Sequence, residues 1–241
     1  MTLDDILVSL FPRGHTAVED HGLLLGSGPL RSGEVAIVIG VTGRTAIGID
    51  EAIRLSHHVL KAMENVGNDP ILVLLDSDSE RMSKRDELLG LNEFLAHLAK
   101  CLIYADVQGR PTVGLLYGHS AAGAFLATAL ATRVLVALPG AEPAVMDLPS
   151  MSRVTKLPID VLKEKAKSTP VFAPGLDNLV QTGAVLATWN ESLSLADQLE
   201  ALLNQAQSGV DRRDQLGKIR NGRPKAADIA ERVHDLALKS C

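Results

Sequence analysis

The chain has 241 residues, 46% of them hydrophobic and 22% charged, which is enough to bury a sizeable core. A net charge of −5 excludes general attraction to nucleic acid, and 3% aromatic residues leave few side chains for stacking on bases. No apolar run reaches the ~18 residues of a membrane span, and the acids in MTLDDILVSL do not suit a secretory signal, so a cytoplasmic protein without membrane contact is expected.

In chain order, residues 3–12 read as a short amphipathic helix, and the Gly-rich stretch 13–34 as short strands and loops. Glu34 to Gly40, EVAIVIG, reads as a strand ending in a loop, Gly40-Val41-Thr42-Gly43. A helix is expected from Ile49 to Val66, with Ile49, Ala52, Ile53, Val59, Leu60, Met63 and Val66 on one face. Pro70 to Leu75 reads as a strand. One long helix is expected from Asp86 to Val107, with Leu88, Leu91, Leu95, Leu98, Leu102 and Ile103 as its stripe. Pro111 to Tyr117 is a strand, Gly118 to Gly123 a turn of small residues, and Ala124 to Thr132 a helix. Arg133–Leu138 and Ala144–Asp147 are further strands. After residue 150 only helices are expected, at 150–156, 159–168, 175–187, 192–208 and 224–240. The alternation of strands and helices predicts an α/β fold with a largely parallel sheet, in one large domain or at most two.

The stretch RPTVGLLYGHSAAGAFLATA carries the chemistry that the sequence suggests. A strand turning into a helix leaves the first helical N–H groups without partners and offers a site for negative charge. Gly118-His119-Ser120-Ala121-Ala122 approaches a nucleophile elbow, with Ser120 as nucleophile and His234, the one histidine downstream, as base. Alternatively, this turn and the Gly40–Gly43 loop aim backbone N–H groups at one thioester oxygen and stabilise an enolate. Two other features read as solvated surface. DSDSERMSKRDE, with Asp76, Asp78, Glu80 and Glu87, has calcium-loop spacing but Arg81 where glycine is needed. DRRDQLGKIRNGRPK is basic, and is a possible contact for an acidic carrier protein. No metal site is expected. Cys101 and Cys241 form no metal spacing, and Cys101 reads as a buried small hydrophobe.

GLLYGHSAAGAFLA, VMDLPSMSRVTKLP and LVQTGAVLATWN, with SLFPRGH and EVAIVIGVT, together resemble the gamma subunit of biotin-independent malonate decarboxylase over nearly the whole chain. That family is similar to acyl-CoA carboxyltransferase subunits, so the resemblance implies a crotonase/ClpP-like β-β-α superhelix with a helical C-terminal part, in a single domain spanning residues 1–241. Laid on the GGGCELA pattern of the superfamily's hydratases, Ala121–Ala127 places Ala122 at an oxyanion-hole donor. The resemblance implies catalytic N–H groups at Gly40, Val41, Thr42, Ala122 and Gly123, with Gly118, His119, Ser120 and Ala121 beside the substrate. Phe125 falls on the hydratases' acid and cannot move a proton, which argues for decarboxylation. The Asp-x-Pro-Gly segment of carboxyltransferases is here Asp76-Ser77-Asp78-Ser79. The resemblance further implies a homologous beta subunit as partner, and a malonyl thioester carried on the CoA-like phosphopantetheine arm of an acyl carrier protein, without biotin. Residues 150–208 are expected to form much of the contact with the partner. The remaining alternative is a non-catalytic scaffold for an active homologue.

Overall fold

A computed structural model describes residues 1–65, 67–170, 173–205 and 211–239. Val66, Cys241 and the expected helix ends at 206–208 and 240 lie outside the described residues.

The chain begins with α1 (Leu3–Leu10), β1 (Val18–Asp20), β2 (Leu23–Pro29), β3 (Val35–Ile47), α2 (Ile49–Glu64) and β4 (Ile71–Glu80). It continues with α3 (Lys84–Leu89), α4 (Leu91–Val107), β5 (Thr112–Leu116), β6 (His119–Ala121), α5 (Ala122–Ala127), β7 (Val134–Ala137) and β8 (Glu142–Ala144). The remainder is α6 (Leu148–Thr155), α7 (Ile159–Ser168), α8 (Leu176–Gln181), β9 (Ala187–Thr188), α9 (Leu195–Gln205), α10 (Arg213–Ile219) and α11 (Ala226–Lys239).

One sheet runs β1-β2-β3-β4-β5-β7-β9, and β6 pairs with β8 in a second. The β1–β2 and β2–β3 pairs are antiparallel, and every pair from β3 onward is parallel. β4 and β5 carry unbroken apolar runs, as strands covered on both faces require. Leu75, Leu91, Leu98, Leu102 and Phe125 belong to the core on one face, between the sheet and α2, α4 and α5. Leu72, Leu74 and Leu115 belong to the other, under α1 and α9.

Several elements depart from the sequence reading. β3 continues through Gly40–Gly43, and β4 through Asp76–Glu80, so both expected loops are strand. The helix expected from Asp86 breaks at Gly90, leaving Leu88 on an exposed short segment. α5 ends at Ala127, and β6 occupies the expected turn. β9 is a strand beyond residue 150; it pairs with β7 at Val136 and Ala137. Among the described residues, no helix is long and apolar enough to cross a membrane.

Candidate active site

β3 carries a bulge where it passes the site. Its register pairs Val41 with Leu75 and then Thr45 with Ser77, so Thr42, Gly43 and Arg44 together oppose Asp76. Gly43 and Arg44 both have left-handed backbone, with φ of 60° and 54°. The bulge swings Thr42, Gly43 and Thr45 into the wall of a cavity of about 720 Å³, shared with Asp76, Tyr117 and Gly118. Residues 1–4, Glu19 and Gly22 complete the lining. The two stretches singled out in the sequence, 40–43 and 118–123, therefore meet on one cavity, through Thr42, Gly43 and Gly118.

The second half of β4 clamps the turn that follows β5. Asp76 Oδ1 accepts from the His119 N–H at 2.9 Å, Ser77 and Ser120 hydroxyl oxygens lie 3.0 Å apart, and Glu80 Oε2 accepts from the Gly123 N–H at 2.6 Å. Each pair is 43 residues apart in sequence, a constant offset that follows from strands running side by side. The acidic stretch read as a solvated loop is thus a structural rail. Its alternation of acid and serine, D-S-D-S-E, is the period-two signal that marks it as strand. His119 adds weaker contacts, with Nε2 3.9 Å from Asp78 and Nδ1 3.8 Å from Glu142.

This clamp and Gly22, just before β2, engage two of the expected donors. The Gly123 N–H is committed to Glu80 and the Thr42 N–H to the Gly22 carbonyl, at 2.9 Å. Gly40 and Val41 lie inside the sheet, in register with Leu24 and Leu23 on one side and Leu74 and Leu75 on the other. A buried N–H already paired in a ladder is not available to an oxyanion without breaking that pair. Ala122 has a left-handed φ of 51°, a strained position for a residue with a side chain. Of the residues expected beside the substrate, Gly118 lines the cavity, whereas His119, Ser120 and Ala121 form β6 and do not.

The serine-hydrolase reading does not fit either. Ser120 is fully buried on β6 with Ser77 as partner. His234 lies on α11 with its ring largely exposed, beside Asp235. A nucleophile needs its base in hydrogen-bond reach, and no contact joins these two. Among the described residues, no group of three His, Cys, Asp or Glu side chains is placed to hold a metal ion. Cys101 is buried, as expected, and burial pushes its thiol above the ordinary range, opposed by a hydrogen bond with Ser56.

Tyr117 is a site residue that periodicity did not reveal. It lines the cavity, and among the described residues its buried hydroxyl has no hydrogen-bond partner. Burial, and then the charge of Asp76, push that hydroxyl well above the usual tyrosine value.

The basic stretch is mostly spent internally. Arg220 donates to the carbonyls of Val180, Val185 and Leu186, at 2.7, 2.9 and 2.8 Å. Arg223 donates to Thr182, Arg213 to Leu130 and Asp211, and Lys218 pairs with Asp228. Arg213, Arg220 and Arg223 staple α10 and the turn after it to the segment between α5 and β9, a role invisible in a charge count.

Residues 42–237 match the family model for the malonate decarboxylase gamma subunit. The chain belongs to the malonate decarboxylase gamma subunit family. It is also 31% identical, over 196 residues, to a Malonomonas rubra protein named malonyl-S-ACP:biotin-protein carboxyltransferase MADD, covering 73% of this chain and 67% of that one. In fold it is similar to a chain of a Pseudomonas malonate decarboxylase hetero-tetramer in complex with coenzyme A, with a TM-score of 0.79 at 21% identity over 96% of this chain and 98% of that one. A chain of the Pseudomonas MdcD-MdcE hetero-dimer superposes with a TM-score of 0.75 at 22% identity, over 99% and 97%. A transcarboxylase 12S chain gives 0.66 at 16% identity, over 86% of this chain and 41% of that one. The family member described here therefore has the crotonase-type carboxyltransferase fold with a helical C-terminal part.

Proposed function

We propose that this chain is a working wall of a cytoplasmic malonyl-thioester decarboxylase, assembled with a homologous beta subunit and served by an acyl carrier protein. The observation that carries the reading is the cavity where Thr42 and Gly43 of the β3 bulge meet Gly118 at the end of β5. Loss of CO2 leaves an enolate, whose oxygen needs positioned donors in a site that excludes water. The donors on this chain at Thr42 and Gly123 are already paired. The geometry therefore favours a division of labour: this chain shapes and dries the cavity, and the homologous subunit across it supplies the oxyanion hole. Biotin has no part in this reaction, and the thioester arrives on the carrier's phosphopantetheine arm.

The partner contact also moves from its expected place. α8 and α9 bury Leu179, Leu195, Leu199 and Leu202 in this chain's own core, so most of 175–205 is spent internally. α6 and α7 bury no residue, pack chiefly on each other, and leave Val154, Ile159 and Val161 exposed. Residues 148–168 are the proposed contact with the beta subunit.

The test is CO2 release from a malonyl thioester by the assembled complex. Gly43→Asn adds a side chain to open cavity space, because a Cβ at Gly43 meets nothing within 4 Å, and Asn tolerates left-handed backbone. Turnover is expected to fall at least about tenfold while the melting temperature holds, as a misplaced substrate requires. Unchanged turnover would remove the cavity from the reaction.

The likeness to the Malonomonas carboxyltransferase supports one rival: transfer of the carboxyl group to a biotin protein instead of its release. Release of CO2 without any biotin protein separates the two, since a transferase leaves the thioester intact in that assay.

A further inference from the structure

The charged side chains lining the cavity are all acidic. Asp4, Glu19 and Asp76 line it, and among the described residues no basic side chain does. Arg44 stands between Gly43 and Thr45, both of which belong to the lining. It is exposed, and among the described residues its guanidinium has neither an ion pair nor a hydrogen bond. The other arginines of the first 85 residues are engaged: Arg13 on the Leu30 carbonyl, Arg31 on Asp197, Arg54 on Asp20, Arg81 on Glu51 and Arg85 on Asp50. Arg44 is also held left-handed in a bulge of three residues against one. Arginine rarely adopts that backbone, and such positions cluster at ligand clamps.

We propose that Arg44 binds the phosphodiester of the carrier's arm at the mouth of the cavity. This rests on the malonyl-thioester reading given above. A malonyl thioester on such an arm offers two anions, the malonyl carboxylate and the phosphodiester. The carboxylate gives up its charge as CO2 leaves. A firm ion pair to it would hold the ground state more than the transition state and oppose the reaction. The phosphodiester keeps its charge from binding to release, so an arginine on it lowers KM and leaves kcat alone. The planar guanidinium matches two phosphate oxygens at once.

The assembled complex is assayed with malonyl-phosphopantetheine and with malonyl-pantetheine, which differ by the one phosphate. With Arg44→Gln, KM for the phosphorylated substrate is expected to rise about fivefold, the scale of an exposed charged pair. KM for malonyl-pantetheine stays level, kcat holds for both, and Arg44→Lys restores most of the loss. The difference between substrates shrinks as salt rises. Equal rises with both substrates would assign Arg44 to the malonyl carboxylate and overturn the proposal, as would no rise with either. A wild-type complex that turns over neither thioester overturns the decarboxylase reading itself, an outcome independent of any Arg44 variant.

Discussion

The Gly123 N–H donates to Glu80 Oε2 at 2.6 Å, across 43 residues of sequence. That bond engages an N–H next to Ala122, the residue the hydratase pattern aligns with its donor. It also ties the start of α5 to the end of β4, so the turn after β5 is held from within the chain. Glu80→Ala strands a partly buried N–H, and is expected to lower the unfolding free energy by roughly 1–3 kcal/mol. Glu80→Gln keeps an acceptor and costs less. Urea midpoints of the two variants check the order; equal midpoints would mean that the carboxylate is not the holding group.

Ala122 has a φ of 51°. An L residue pays strain in that region, while glycine does not, at the cost of a looser unfolded chain. Ala122→Gly is expected to stabilise the protein by up to about 1 kcal/mol, visible as a higher melting temperature. A lower one would show that the Cβ contributes packing that outweighs the backbone strain.

Arg220 satisfies three carbonyls between α8 and β9. Arg220→Ala removes all three bonds, while the Val180 carbonyl keeps the Gly183 N–H, so a loss on the order of 2 kcal/mol is expected. Arg212, exposed and outside this staple, is the control: Arg212→Ala should stay within about 0.5 kcal/mol. Denaturant unfolding of both separates a structural staple from a surface charge.

Tyr117 gives stability a pH dependence. Its hydroxyl is raised from the ordinary 10.0, first by burial and then by Asp76. The fold favours the protonated form, so this contribution is complete below about pH 10, and is lost as pH rises from there through the raised folded value. Tyr117→Phe should flatten the alkaline decline and remove the late-ionising phase from an ultraviolet absorbance titration. At neutral pH it should leave stability unchanged or raise it, because the lost hydroxyl has no partner. A neutral-pH loss well above 1 kcal/mol would reveal a hydrogen bond to that oxygen.

By itself the sequence determined the α/β alternation, much of the core under α2 and α4, and the two stretches that reach the cavity. Those follow from local signals: apolar runs in β4 and β5, the helical spacing of Leu91, Leu95, Leu98 and Leu102, and glycines where chains pass closely. Linked motifs such as GLLYGHSAAGAFLA also carried the family, because a resemblance needs order along the chain and no coordinates. Only the tertiary structure decided which donors are free. Asp76, Ser77 and Glu80 meet His119, Ser120 and Gly123 because β4 and the turn after β5 run side by side, and nothing local to either stretch encodes that pairing. The same holds for Arg213, Arg220 and Arg223 in and after α10, whose charge reads as a surface patch until they are seen to reach carbonyls of neighbouring segments. A hydrogen bond satisfied across dozens of residues leaves no mark on composition or period.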